Sequence, residues 1–583
     1  MYDMMKMIAA FAVLVLPVYG LLRRRISNGS MDIFLLAIPL TLSVALMLSF
    51  FLASFGWLRF FWPVWGFLGL WCIGEWRQEL RKQLSFSFCG DWRGFAGIAT
   101  IMLMQAMPVV WQEFPAGWDP ACHALIAEKI RLSGRICADW MPFENLPMVY
   151  PQCFHSFAAA LAILTGCATH AVLQNLHFLF SFPAALLVWR IAVRIFGTSA
   201  GIFAVSAYTF LSDAGNYLYF YRMGMLPTEC ANVIFLGEIL LLLNRDWDSR
   251  WKWMLSALAG AGIWIVHPLS GVIASSVAIA VVLFCSDRSF RKTLAWGGVG
   301  AFIAMGIYGI IVAGRVSPDN TESIRFAEEP AMPVLNVLND IHIYVFLLAV
   351  TCLVWTWKKH RDPEICLGRI WLGVLVGVFL LMEYFFRYCI ARPFFGEDFT
   401  IGIPSRFIAV SGSIFCIWAG AGLAKLSRLR YGWIFTVIFI FCCIYGGRRY
   451  FVLARENAVP DELQKLSAAV RTCTPENAYF LLPDGTRAYQ WFSYLAWRAS
   501  LGVPIPSSEN RSRLAEKSLL FSNLDGNREK IGSYIQEHRM LCMILLPVTS
   551  GRWQMAVGMP DGRFRLLRQE LQWQSAASPS AAK

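Results

Sequence analysis

The sequence predicts an α-helical polytopic membrane protein of about fourteen transmembrane helices with a small α/β domain at its C-terminal end. Three observations predict it. Of the 583 residues 57% are hydrophobic, mean hydropathy is +0.52 and only 15% are charged, far from a soluble chain of that length. Apolar runs of about 17–25 residues recur from the start to position 447, each long enough for a hydrocarbon core of roughly 30 Å. From 448 onward, charge and polarity return to soluble values.

The elements follow in order. Spans are expected near 5–22, 31–54, 56–74 and 94–112, then 171–189, 195–211, 227–244, 251–267 and 268–285. Further spans are expected near 293–313, 341–357, 367–388, 405–424 and 431–447. The first resembles a signal anchor without a small-residue cleavage site, so it counts as a helix. Residues 153–168 are apolar but short, and are read as a helix lying in the outer interface.

The net charge of +13 is concentrated in short loops: Arg23 to Arg25, Arg77 to Lys82, Arg245 to Lys252, Arg288 to Lys292, Lys358 to Arg361 and Lys425 to Arg430. That is the positive-inside pattern. It places both termini outside, together with the loops 113–170, 212–226, 314–340 and 389–404. No basic face interleaved with aromatics is present, which argues against nucleic acid as a partner.

The tail 448–574 is expected to form an extracytoplasmic α/β unit, with helices over 461–470 and 527–538 and strands at 478–482 and 541–546. A hairpin is expected over 553–557 and 563–567. The end, 575–583, is small and polar and reads as disordered. This domain either caps the membrane bundle or binds an acceptor. The sixteen cysteines show no paired CxxC spacing. In an oxidising compartment a Cys122–Cys137 bridge is allowed, free packed thiols being the alternative.

The chemistry-bearing residues lie in the outer loops. Phe114-Pro-Ala-Gly-Trp-Asp-Pro-Ala-Cys-His123 follows a span directly and sets Asp119 and His123 four positions apart. Asp119 before Pro120 is also a helix N-cap pattern, so cap and catalytic base both stand. His123 falls one helical turn on, where it orients the acid, binds a substrate group, holds a metal or simply packs. Two ligands at that spacing do not make a metal site, so a divalent metal is not indicated. Glu113, Asp139 and Glu144 are reserve carboxylates in the same loop. Arg222, in Tyr-Arg-Met-Gly-Met-Leu-Pro, His267 before Pro268, and Arg406, in Ile-Pro-Ser-Arg, fall on the outer face. Arg387 and Arg392 compete for the place of Arg406. Ionisable groups near membrane depth point to function, with interfacial snorkelling as the rival for the arginines and a capped helix break for His267.

A span, then Gly117-Trp-Asp119 with His123 downstream, then Tyr150-Pro-Gln-Cys-Phe-His155, resembles the GT-C superfamily of membrane glycosyltransferases. The resemblance covers about 91–447; the helices of 1–90 are additional, and a C-terminal soluble domain is common in the superfamily. It implies an inverting glycosyltransferase that takes a sugar from a polyprenyl-phosphate carrier and passes it to an acceptor hydroxyl on the extracytoplasmic side. Asp119 matches the first-loop base, with His123, Tyr150, His155, Arg222, His267 and Arg406 as substrate-binding candidates. The partners implied are the lipid-linked donor, a glycan, lipid or protein acceptor, and the bilayer. The resemblance fixes no cofactor: some branches of the superfamily work without metal, and a divalent metal stays open although the ligand spacing does not indicate one. The location implied is a bacterial inner membrane with a periplasmic active face. A lipid-linked glycan ligase or polymerase is the alternative enzyme class, and a transporter or flippase the non-enzymatic one, disfavoured by the few charges within spans.

Overall fold

The computed structural model describes residues 2–25, 30–76, 92–117, 119–143, 148, 150–211, 216–244, 247–313, 342–357, 362–380, 404–455, 459–474, 478–481, 487–500, 530, 533, 541–548, 552–558 and 564–566. The membrane part is a helix bundle. Its helices are α1 (Tyr2–Arg25), α2 (Ser30–Ser54), α3 (Phe61–Trp76), α4 (Trp92–Trp111), α5 (Pro120–Ser133), α6 (Cys153–Thr165) and α7 (Thr169–Phe196). There follow α8 (Thr198–Ser206), which runs on through a π turn at Ala207–Leu211, α9 (Tyr217–Met223), α10 (Leu226–Leu243), α11 (Ser249–Val266), α12 (Pro268–Phe284) and α13 (Arg288–Ala313). The bundle closes with α14 (Ile343–Trp355), α15 (Pro363–Leu380), α16 (Pro404–Leu426) and α17 (Gly432–Arg455).

Among the described residues six helices are long and apolar enough to cross a membrane: α1, α2, α7, α10, α13 and α17. Several shorter apolar helices pack with them, and the protein is an integral membrane protein. Helix α10 is buried along its whole length, which its near-uniform apolar sequence requires. Helices α11 and α13 approach closely because both carry small residues. A Cβ on Gly260 would lie 2.1 Å from the Gly297 carbonyl oxygen, and one on Gly300 would lie 1.8 Å from that of Ala257.

Two landmarks orient the bundle. At one end Asp32, 2% exposed at the start of α2, accepts from Arg190 and Arg194 near the end of α7, and Arg194 also donates to Asn244 Oδ1 at 2.9 Å, just after α10. At the other end the Ile136 amide donates to the Ala53 carbonyl at 3.1 Å, tying the Asp119 loop to the end of α2. Helix α6 belongs wholly to this second end. Cys153 at its start donates to the Leu46 carbonyl at 3.3 Å, and Cys167 just past its end donates to Asp3 at 3.4 Å, beside the start of α1. At about 1.5 Å per residue its 13 residues are too short to span a hydrocarbon core of roughly 30 Å.

Beyond α17 lie α18 (Asp461–Cys473), β1 (Ala478–Leu481), α19 (Arg487–Ala496), β2 (Ala499–Ser500), β3 (Leu541–Val548), β4 (Arg552–Gly558) and β5 (Phe564–Leu566). They build a five-stranded sheet in the order β2-β1-β3-β4-β5. Strand β1 runs parallel to both neighbours, with Tyr479 opposite Ala499 and Cys542; β3, β4 and β5 are antiparallel. The parallel β1–β2 pair needs a crossover, which α19 supplies. That helix was not anticipated from the sequence. The helix expected at 527–538 lies outside the described residues, apart from positions 530 and 533, as does the tail 575–583. No Cys122–Cys137 bridge forms, and Cys122 is buried on α5.

Candidate active site

Asp119 is the first residue of the turn into α5, half-buried, with Pro120 opening the helix. A carboxylate at this position usually accepts from the first-turn amides, yet Asp119 makes no side-chain cap hydrogen bond; its φ and ψ of −87° and −19° are already helical. Its charge is felt next door: burial first, then the Asp119 carboxylate, hold the Cys122 thiol well above its usual range.

Two glycines hold the loop in place. Gly117 has φ of +114° and a Cβ there would lie 2.6 Å from the Gly224 amide nitrogen; Gly224 has φ of +76° and its Cβ would lie 2.2 Å from Pro120 Cδ. Only residues without side chains permit this contact. It presses the Asp119 loop onto the α9–α10 turn, the Gly/Pro segment singled out in the sequence. Arg222, exposed in the last turn of α9, thereby stands beside the Asp119 loop.

Beneath the loop, His123 and His155 are both buried, and His123 Nδ1 lies 2.9 Å from His155 Nε2. His155 Nδ1 lies 3.1 Å from the Pro151 carbonyl oxygen, so it carries the proton and donates there. Nε2 of the neutral ring then accepts from His123 Nδ1–H. Burial lowers the His155 pKa to about 3 against the opposing Pro151 hydrogen bond, keeping it neutral. The Tyr150 ring meets His123 and His155 at centroid distances of 5.8 and 5.5 Å. Tyr150, His123 and His155 therefore form one cluster a turn away from Asp119.

The remaining candidates stand further off. His267 caps α12, its Nδ1 accepting from the Ser270 amide at 3.2 Å and facing Ser270 Oγ at 2.7 Å; its Nε2 is 3.5 Å from Thr228 at the start of α10. The capped helix break accounts for that geometry. Arg406 lies in the first turn of α16, where the backbone alone is described. Arg387, Arg392 and Glu144 lie outside the described residues. Asp139 is engaged structurally, accepting from the Met141 amide at 3.0 Å and lying 3.9 Å from Lys129. Glu113 is exposed and 3.5 Å from Gln464.

A polar network under α9 was not read from the sequence. Gln174 donates to the Tyr221 hydroxyl at 2.7 Å, and that hydroxyl donates to Gln112 at the end of α4. One turn further into α7, His177 Nδ1 lies 2.7 Å from Glu229 on α10, and Ser181 donates to the same carboxylate. The available signal was the spacing of Gln174, His177 and Ser181, three then four residues apart, which puts three polar groups on one face of an apolar helix.

No protein-family model and no curated protein matches the chain. Solved structures do. The Archaeoglobus fulgidus oligosaccharyltransferase in its apo form aligns with a TM-score of 0.51 at 10% identity, over 79% of this chain and 70% of that one. ArnT from Cupriavidus metallidurans bound to undecaprenyl phosphate aligns at 0.51 and 12%, over 78% and 93%. The arabinofuranosyltransferase AftD from Mycobacteria aligns at 0.51 and 14%, over 80% of this chain and 36% of that one. At such identities the likeness is one of fold. The fold is that of the GT-C membrane glycosyltransferases, the superfamily that the Asp119 and Tyr150 segments resemble.

Proposed function

We propose that the chain is an inverting membrane glycosyltransferase that moves a sugar from a polyprenyl-phosphate carrier to an acceptor hydroxyl, with Asp119 as the base. The observation that carries this reading is the placement of Asp119. Asp119 is held by the Gly117–Gly224 contact at the start of α5, over a buried histidine pair, in a fold shared with ArnT.

An acceptor hydroxyl attacks the anomeric carbon poorly unless its proton leaves to a base within about 2.6–3.2 Å. Asp119 takes that proton as the new carbon–oxygen bond forms. The anomeric carbon–phosphate oxygen bond breaks from the opposite face, and its electron pair leaves with the lipid phosphate. That anion needs no protonation, only cations. Arg222 beside the Asp119 loop, and Arg406 at the start of α16, are the groups assigned to it, since a guanidinium fork matches phosphate. The His123–His155 pair and Tyr150 line the sugar's side. His267 at the head of α12 completes the substrate-binding set. That ArnT is bound to undecaprenyl phosphate supports a polyprenyl-phosphate donor. The acceptor is a glycan, lipid or protein at the periplasmic face of a bacterial inner membrane.

Sugar release from a panel of polyprenyl-phosphate sugars, by wild type and Asp119→Asn with melting temperatures compared, tests the reading. Turnover of one carrier by wild type and none by the folded variant is expected. Equal turnover by both removes Asp119 from the mechanism. A well-folded wild type that turns over no carrier removes the transferase reading itself.

A further inference from the structure

A groove of about 850 Å³ runs along the side of the bundle between α8 and α17, floored by Met104 of α4. Its origin lies in the sequence of α17. At four-residue spacing one face reads Phe439, Cys443, Gly447, Phe451 and Arg455, so two small residues lie between two aromatic ones. Gly446 beside them brings α17 so close to the π turn that a Cβ would lie 1.8 Å from the Phe210 carbonyl oxygen. The helices touch there and part on either side, and Ser206 on α8 leaves the gap unfilled.

Three features say what fills it. Apart from Ser206 the wall is apolar over its first half, and the half nearer the Asp119 loop is lined by Arg448, about midway along the α17 face, and Arg455 at its end. Both are exposed, and among the described residues no Asp or Glu lines the groove. That end is pinned to α4, Gln112 donating to the Leu453 carbonyl. Finally, the stretch from Phe439 to Arg455 rises about 24 Å. This is close to half of a bilayer with its headgroups, about 20–22 Å. The groove therefore spans one leaflet, apolar in the half nearer the midplane and cationic in the half nearer the headgroups.

We propose that this groove is a binding site for an anionic diacyl phospholipid, its chains between α8 and α17 and its phosphate on Arg448 and Arg455. The anion recognises the two guanidiniums, and the groove's length matches acyl chains of one leaflet. A polyprenyl carrier, much longer than a leaflet, would leave most of its chain outside. The site lies on the helix that joins the bundle to the sheet domain, so its lipid braces that joint.

Delipidated protein in detergent is titrated with phosphatidylglycerol, phosphatidylcholine or undecaprenyl phosphate, reading bound lipid by native mass spectrometry and the melting temperature in parallel. Wild type is expected to retain phosphatidylglycerol over phosphatidylcholine and to melt higher with it. The double variant Arg448→Gln/Arg455→Gln is expected to bind it about tenfold more weakly or worse, as loss of charge-assisted contacts requires. Gly447→Leu supplies a second check: a Cβ there meets nothing closer than Phe210 Cδ1 at 4.0 Å, so the chain folds while the added side chain fills the groove. It is expected to abolish retention. Equal retention of phosphatidylcholine, an unchanged preference in both variants, or stronger retention of undecaprenyl phosphate than of phosphatidylglycerol would each overturn the proposal.

Discussion

The two ends of the bundle use charge in opposite ways. At the Asp32 end one buried carboxylate receives two arginines from α7, and an asparagine at the end of α10 completes the cluster. Every group there ties helix to helix, and each is consumed in doing so. At the Asp119 end the carboxylate stands at a helix start without making the cap bond that its position offers, and an exposed arginine follows on the facing turn. The contacts that hold that loop are instead made by glycine backbone, a histidine pair and aromatic rings. Charge at the first end is structural cement; at the second, glycine backbone and ring packing hold the loop alongside the Lys129–Asp139 and Arg131–Glu128 pairs.

The sharpest way to break this contrast is Asp119→Asn. Transfer is expected to fall by about 10²–10⁴-fold, the range for loss of a general base, with the melting temperature nearly unchanged. A large fall in melting temperature instead would make Asp119 cement as well. The mirror experiment is Asp32→Asn. Two guanidiniums lose their shared anion, but both reach solvent, with side chains 22% and 36% exposed. The cost is therefore set below that of a fully buried pair, at about 1–3 kcal/mol. Thermal melts in detergent should show it, while turnover per folded molecule stays at the wild-type level.

A third measurement separates the histidine pair from both. His155 is neutral when folded, its pKa lowered to about 3 from 6.5 by burial. Between those values the unfolded chain binds the proton and the folded chain does not. Stability contributed by neutral His155 is thus fully present above about 6.5 and is lost as pH falls towards 3. Melting temperatures at about pH 4 and about pH 7 should differ less in His155→Gln than in wild type. An identical pH dependence in the two proteins would show that His155 is not a buried neutral group. The smallest effect concerns the sheet domain. On α19, Tyr494 meets Thr169 Oγ1 at 2.8 Å and His170 Nδ1 at 3.0 Å, and Trp491 packs edge-on against Phe114. Tyr494→Phe is expected to cost about 0.5–1.5 kcal/mol, read by chemical denaturation in detergent. No measurable cost would mean that the domain is held by its ring contacts, Trp491 with Phe114 and Trp497 with Phe143, rather than by the Tyr494 hydroxyl.

Much of this was legible before any coordinates. Hydropathy located the apolar helices because a bilayer demands long apolar runs, and Pro120 marked the start of α5 because proline suits a first helical turn. The short strands 478–481 and 541–548 showed as apolar runs bounded by turn residues. The sequence alone also determined that Asp119, His123, Tyr150 and His155 lie in one loop after one span. What it left open was which of them meet. His123 and His155 are 32 residues apart, and their 2.9 Å contact depends on α6 packing beside α5. A 13-residue apolar helix suits many neighbours, because composition reports the surroundings of a segment and not its partner. Likewise Gly117 and Gly224 are ordinary loop glycines in sequence, and only tertiary packing makes each the partner of the other. Local pattern determines what a segment can bury. Which segments bury one another is decided by contacts between residues far apart in the chain, and a single sequence does not state those.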